Sequence, residues 1–385
     1  MNLEAMHIPR RRLPAALEER RQRRDAEIAG RDAQLGAERV RVNAYMENIG
    51  WPELFGFDMN EFYGRPEFAV EMQVREQIFW ADNAVDDAPL ATALSATTGW
   101  YFDMTLFGQR IRHGADGVPH FEVHPLAERP ALSLLPRFDF EASGDMPALI
   151  ERYQRMGRCV EAEYGERLGV LFPHFHRGPL DTYVQLRGYE NFVGDALENP
   201  ELVAEFLAFF ADERLRFARE RAAFLGEAGL PATTFVADDW VNIPFISPEI
   251  FHRLVAPVYR RTRANEGPVT GYHTCGRMEP VVQELLAVFP DIRRLEVNGW
   301  NDLELLDQLI SPEVGFDLSF INTFVLSATP TQQREKLELV ARVARHRRLT
   351  LCAQAMVKLD SYEETMRRMN RFVELARQVL AERGC

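Results

Sequence analysis

The chemistry open to this chain is set by one histidine and two cysteines. His273-Thr274-Cys275 closes one apolar run, and Cys352 lies in another far downstream. An imidazole and two thiolates are donors that Zn2+ accepts in tetrahedral geometry. Three protein ligands leave a fourth position for water or a reactant, as in catalytic zinc sites. Structural zinc sites generally take four ligands, often from close Cys-x2–4-Cys pairs. The chain has 4 cysteines and no such pair. Residues i and i+2 of an extended segment share a face, so His273 and Cys275 can enter one ligand sphere. A plainer alternative stands beside this one: a buried cysteine acts as a small hydrophobe, and a strand histidine as a hydrogen-bonded core residue.

The elements that must position these residues follow from the apolar pattern. Runs at 169–174, 233–237, 269–273, 294–297, 314–318 and 349–353 read as strands. Helical patterns lie at 148–166, 200–227, 248–265, 277–288, 302–310, 331–345 and 361–382. Asn199-Pro200, Ser247-Pro248 and Thr329-Pro330 each set a capping residue before a proline at the first helical position. Gln332 completes a capping box with Thr329. Alternating strands and helices predict a parallel sheet with helices outside. With a further strand at 90–97, the expected fold is α/β, a closed (β/α)8 TIM barrel over residues 51–385. A doubly wound open sheet is the alternative. Residues 1–50 read as a charged N-terminal helical extension, with one or two helices over 14–47 lying loosely on the body. The aromatic-rich stretch 51–103 contains a helix at 68–81, and 105–111 with 118–123 form a hairpin.

Barrels carry their reactive side chains at the C-terminal ends of the strands. The polar residues there are His174, His176, Asp238, Asp239, His273, Cys275, Asn298, Asp317, Asn322, Cys352 and Gln354. The expected metal ligands are His273, Cys275 and Cys352. Asp239 is a fourth ligand or the group that orients His273, with Asp238 as its alternative because adjacent strand-end residues point opposite ways. His174 or His176 is the candidate proton donor. Trp240, Tyr272, Asn298 and Gln354 are expected to line the substrate site. Gly271 and Gly276 allow close approach on either side of His273. Cys159 reads as helix packing and Cys385 as an exposed terminal thiol. Arg187 and Arg277 read either as carboxylate or phosphate binders or as surface residues.

Several segments resemble the uroporphyrinogen decarboxylase superfamily in order and spacing. They are Gly178-Pro179-Leu180-Asp181-Thr182 with Leu186-Arg187-Gly188, Asn199-Pro200-Glu201-Leu202, and Asp238-Asp239-Trp240. Ile246-Ser247-Pro248-Glu249, Pro257 and Tyr272-His273-Thr274-Cys275-Gly276 follow, so the resemblance covers about residues 90–382. It implies a (β/α)8 barrel. The decarboxylase branch works without metal and carries an Arg-Gln-Ala-Gly-Arg segment that is missing here. The other branch holds zinc methyltransferases that work with corrinoids, such as methylcobamide:coenzyme M methyltransferases, and is marked by His-x-Cys with a distant Cys. His273, Cys275 and Cys352 are similar to that mark. The resemblance therefore implies Zn2+ and methyl transfer between a corrinoid (cobalamin) and a thiol or methoxylated small molecule. No Asp-x-His-x-x-Gly cobalamin motif occurs, which implies free cobalamin or a separate corrinoid protein as partner. A metal-free decarboxylase-like lyase is the main alternative, and a non-catalytic corrinoid or tetrapyrrole binder a third.

Composition excludes other classes. The formal net charge of −13 over 385 residues argues against a general nucleic-acid binder, which needs a basic face to displace counterions. The basic runs Arg10–Arg12 and Arg20–Arg24 are interleaved with Glu18, Glu19, Asp25 and Glu27. They read as a solvated helix with i,i+4 charge pairs, or else as an arm for an acidic partner. No apolar stretch approaches the ~20 residues of a membrane span. No signal-like segment and no disulfide framework is visible, so a cytoplasmic protein is expected.

Overall fold

Apolar runs alternating with amphipathic helices build a parallel sheet in the computed structural model, which describes residues 1–36, 40–356 and 358–385. The strands are β1 (Arg41–Met46), β2 (Ala93–Ser95), β3 (Arg110–His113), β4 (Pro119–Val123), β5 (Gly169–Leu171), β6 (Thr234–Ala237), β7 (Val269–His273), β8 (Arg294–Asn298), β9 (Gly315–Ile321) and β10 (Leu349–Met356). Six of them form one sheet in the order β1-β10-β9-β8-β7-β6, with every neighbouring pair parallel. β2 pairs with β5, also parallel, and β3 with β4 as the expected hairpin. A single parallel bridge, Arg177 to Ala237, ties the chain after β5 to β6. No ladder joins β1 to β2 among the described residues, and a closed barrel is not seen there.

β1 corrects the expectation of helix through residue 47. The helix Leu13–Leu35 ends earlier, and Arg41–Met46 pairs in register with β10. Val42 and Ala44 turn inward while Asn43 and Tyr45 do not. That period of two belongs to a strand. The sheet thus reaches back across the expected boundary at residue 50.

The outer edge of β1 is satisfied by side chains. Asp87 accepts from Val42 N at 2.9 Å, Asp86 accepts from Ala44 N at 3.0 Å, and Asp87 N donates to Val42 O at 2.8 Å. The Asp86-Asp87 segment thereby occupies the edge a neighbouring strand would use. Both aspartates are fully buried, and buried carboxylates need cationic partners. Arg24 pairs with Asp86, and Arg31 and Arg377 with Asp87.

Those ion pairs correct the picture of a loosely lying N-terminal helix. Arg24 is 2 % exposed and also donates to the carbonyls of Ala84 and Ala88. Arg20 and Arg23 both reach Asp82. The basic run Arg20–Arg24 is spent on intramolecular partners, Arg21 reaching the carbonyls of Ala91 and Arg167.

Two of the three expected caps form, while the Asn199 side chain makes no capping hydrogen bond to the helix it precedes. Thr329 and Gln332 close a reciprocal capping box, and Ser247 accepts from Ile250 N. The long helix Pro200–Leu225 buries Phe206, Phe210 and Phe217, each worth about 1.5–3 kcal/mol in removed apolar surface. Its Arg214 lies inside the core and is held by both oxygens of Glu266 at 2.9 and 3.0 Å. No helix among the described residues is long and apolar enough to cross a membrane.

Candidate active site

β7 ends at His273, and the following turn is braced from three sides. Thr274 Oγ1 donates to Val241 O at 2.8 Å. Asn298 Nδ2 donates to Thr274 O at 3.3 Å and Gly276 O at 3.0 Å, and Asn301 Nδ2 to Gly276 O at 3.1 Å. A Cβ at Gly276 would lie 1.6 Å from Asn242 Oδ1, and one at Gly271 would lie 2.7 Å from the Phe235 ring. Both glycines therefore serve the close approach expected of them.

This bracing brings three donor atoms together. His273 Nε2 lies 3.0 Å from Asp239 Oδ1 and 3.3 Å from Cys275 Sγ, and Cys275 Sγ lies 3.1 Å from Asp239 Oδ1. Among the described residues these three form the group able to close on a single ion. Tetrahedral bonds of roughly 2.0–2.3 Å separate ligand atoms by about 3.3–3.6 Å. The observed triangle is slightly tighter than that, so small side-chain rotations open it to an ion.

Glu296 was not among the expected site residues. It stands on β8, where its Oε2 lies 2.8 Å from His273 Nδ1. That nitrogen is buried, and no hydrogen bond of good geometry satisfies it. The other oxygen, Oε1, accepts from Gln354 Nε2 at 2.9 Å and Ser319 Oγ at 3.2 Å. A carboxylate between Leu295 and Val297 in mid-strand was the signal available to find it.

The electrostatics follow from crowding. Burial opposes charge on His273, but Asp239, Cys275 and Glu296 outweigh it and raise its pKa to about 12. The same ring holds the carboxyls of Asp239 and Glu296 below their usual range, against the burial that would raise them. Burial pushes the Cys275 thiol up. Cys352 is pushed up to about 12 by burial, then by the charges of Glu296 and Asp317.

Cys352 sits on β10 in register with Ser319 and takes no part in the three-atom group. Asp238 and Asp239 point opposite ways, as adjacent residues should. Asp238 is fully buried and accepts from Leu180 N, Asp181 N and Tyr259 OH. It holds the N-terminus of the helix Pro179–Arg187 and is not at the site.

Other expected residues also separate. Tyr272 is fully buried against Tyr259, with their hydroxyls 3.0 Å apart. Strand alternation turns it away from the face of Gly271 and His273, so it does not line the site. Asn298 and Gln354 act on protein groups, the turn carbonyls and Glu296. Trp240 stacks on Tyr189 at 4.9 Å, with Phe245 edge-on and 43 % exposed. His174 and His176 lie outside the donor group and line a separate cavity. Asp317 pairs with Arg294. Arg187 is bound to Asp195 and the Leu126 carbonyl, while Arg277 stays exposed near Glu279. Cys385 is half-buried and its thiol reaches Ala341 O, so it is not an exposed terminal thiol.

No family model matches the chain, and no curated protein does. Among solved structures, a methyltransferase from Methanosarcina mazei is similar in fold. It superposes with a TM-score of 0.54 at 13 % identity, over 87 % of this chain and 94 % of that one.

Proposed function

We propose that the chain is a cytoplasmic, zinc-dependent methyltransferase of the uroporphyrinogen decarboxylase superfamily. It would move a methyl group between a corrinoid, free or on a partner protein, and a thiol or methoxylated small molecule. The observation that carries this is the convergence of Asp239, His273 and Cys275 at 3.0–3.3 Å. Fold likeness to a methyltransferase supports it. Eight parallel strands, six in one sheet and two in a second tied on by the Arg177–Ala237 bridge, support a (β/α)8 barrel. All four cysteines are free thiols, as suits a reducing compartment.

His273 Nε2 and Cys275 would hold the ion with Asp239 or Cys352 as the third ligand, and the fourth position would take the reactant. When bound, zinc keeps a coordinated thiol deprotonated at neutral pH, where a free thiol of pKa ~8.5 is mostly protonated. The chain does the positioning. Asn298 and Asn301 fix the turn that carries Cys275. Gln354 and Ser319 fix Glu296, and Glu296 against Nδ1 keeps Nε2 of His273 aimed at the site. Asp239 Oδ1 accepts a hydrogen bond from the Cys275 thiol at 3.1 Å. The Trp240–Tyr189–Phe245 cluster offers a partly exposed aromatic surface on which a corrinoid could rest.

Metal analysis tests the proposal. About one zinc per chain is expected from a single closed site. Binding must expel the His273 proton and thiol protons, so affinity should rise with pH by about tenfold per unit for each proton released. Competition with a chelator between pH 6 and 8 measures that slope. A chain that takes up no stoichiometric zinc sinks the assignment.

Asn298→Ala should lower zinc affinity by about 10–100-fold, the usual cost of losing an outer-sphere support. Its thermal midpoint should move little by comparison. An unchanged affinity would mean that the turn holds its shape without that amide.

The hydrogen-bonded trio of Asp239, His273 and Cys275 also suits a metal-free lyase doing proton chemistry. Such an enzyme would release CO2 from a carboxylated substrate and keep doing so in the presence of chelators.

A further inference from the structure

β1 brings to the sheet a phenol and a carboxyl that have no part in the donor cluster. Asn43 on β1 and Cys352 on β10 are register partners, so their side chains share a face. Register carries the same face from Arg41 through Thr350 and Asp317 to Glu296, which touches His273. Tyr45 stands two residues beyond Asn43 on that face and is 41 % exposed. Glu47 follows just past the C-terminal end of β1, the end at which parallel strands present reacting groups.

The two side chains are joined to each other. Tyr45 Oη donates to Glu47 Oε1 at 3.4 Å, a long contact that a reactant atom can replace. Burial, then the charges of Glu47, Cys352 and Glu296, raise the Tyr45 phenol, so it keeps its proton at neutral pH. Burial also raises the Glu47 carboxyl, against the hydrogen bond from Tyr45. Asp86 and Asp87 are each held by arginine. Glu47 has no such cation among the described residues and keeps only the phenol.

The donor cluster supplies no other group for proton transfer. His174 and His176, the expected donors, line a separate cavity. Asp239 and Glu296 both lie against His273.

We infer that Tyr45 and Glu47 are the proton-transfer pair for the heteroatom of the reactant. That heteroatom meets Tyr45 Oη. When a thiol enters, its S–H bond breaks and the electron pair stays on sulfur. The proton passes to Tyr45 Oη while the phenol proton passes to Glu47 Oε1. Thiol and carboxylate become thiolate and carboxylic acid, and total charge is unchanged. A departing heteroatom takes the proton back along the same path. This role rests on the methyl-transfer reading, because it needs a reactant at the donor cluster.

Calorimetric titration of zinc-loaded protein with 2-mercaptoethanol at neutral pH, repeated in buffers of different ionisation enthalpy, counts the protons given to solvent. A thiol that coordinates a metal gives up about one proton. The native protein should release well under that, because Glu47 keeps it, and Glu47→Gln should release it in full. Tyr45→Phe retains the ring at an exposed position. It should weaken 2-mercaptoethanol by about tenfold or more, the loss expected for a hydrogen bond to an ionised group. Zinc content should be the same in both variants, and a merely structural role would not move the proton count. Three results overturn the pair and leave the methyl-transfer reading standing: zinc-loaded protein that binds no 2-mercaptoethanol, equal proton counts in native protein and Glu47→Gln, or an unchanged affinity in Tyr45→Phe. Protein that takes up no zinc overturns the methyl-transfer reading and the pair with it.

Discussion

Cys275→Ala should strip the protein of zinc and of methyl transfer together. The thiol is one corner of a triangle whose sides are 3.0, 3.1 and 3.3 Å, and the group contains no second sulfur. Losing an ion's direct ligand should exceed the roughly 10–100-fold cost of losing an outer-sphere support. His273→Ala should behave alike, because it removes the atom shared by both His273 contacts of the triangle. Cys159→Ala is the matched control. That thiol sits on the helix Met146–Tyr164 beside Arg10 and Glu163, remote from the turn. X-ray absorption at the zinc edge then decides the third ligand. Two sulfur neighbours place Cys352 on the metal. One sulfur, with zinc retained in Cys352→Ser and lost in Asp239→Asn, gives that position to Asp239. Zinc retained at full occupancy in Cys275→Ala would remove the basis of the proposed chemistry.

Asp86→Ala should cost about 3–5 kcal/mol of folding free energy, the usual penalty for breaking a buried ion pair from one side. The carboxylate is fully buried and serves three donors: Arg24, Ala44 N and Ala88 N. Its removal leaves the buried Arg24 charge without its carboxylate and the outer edge of β1 partly unsatisfied. Urea denaturation measures the change. Glu61→Ala, which breaks an exposed i,i+4 pair with Arg65, should cost only about 0.3–0.5 kcal/mol. A loss below about 1 kcal/mol for Asp86→Ala would show that β1 does not depend on this anchor.

Much of the sheet was legible from patterning because short apolar runs alternate with helices. The run Leu349–Met356 is mostly apolar, and the helix before it begins with the capping residue Thr329 and Pro330. β1 was not legible. Arg41, Asn43 and Tyr45 dilute its apolar content, and it follows a charged helix without a turn-forming proline. Its strand character comes from β10 on one side and two aspartates on the other, partners that lie far along the chain or in side chains.

Residue types and the i,i+2 rule were sufficient to pair His273 with Cys275, and adjacency alone required Asp238 and Asp239 to diverge. Which aspartate enters the site was decided by the helix Pro179–Arg187, whose free N–H groups claim Asp238. Register between β7 and β8 brought Glu296 to His273 and left Cys352 two strands further on. Local chemistry is written in neighbours along the chain. Distances between ligands borne by different strands depend on how the sheet stacks those strands, and that is a property of the whole fold.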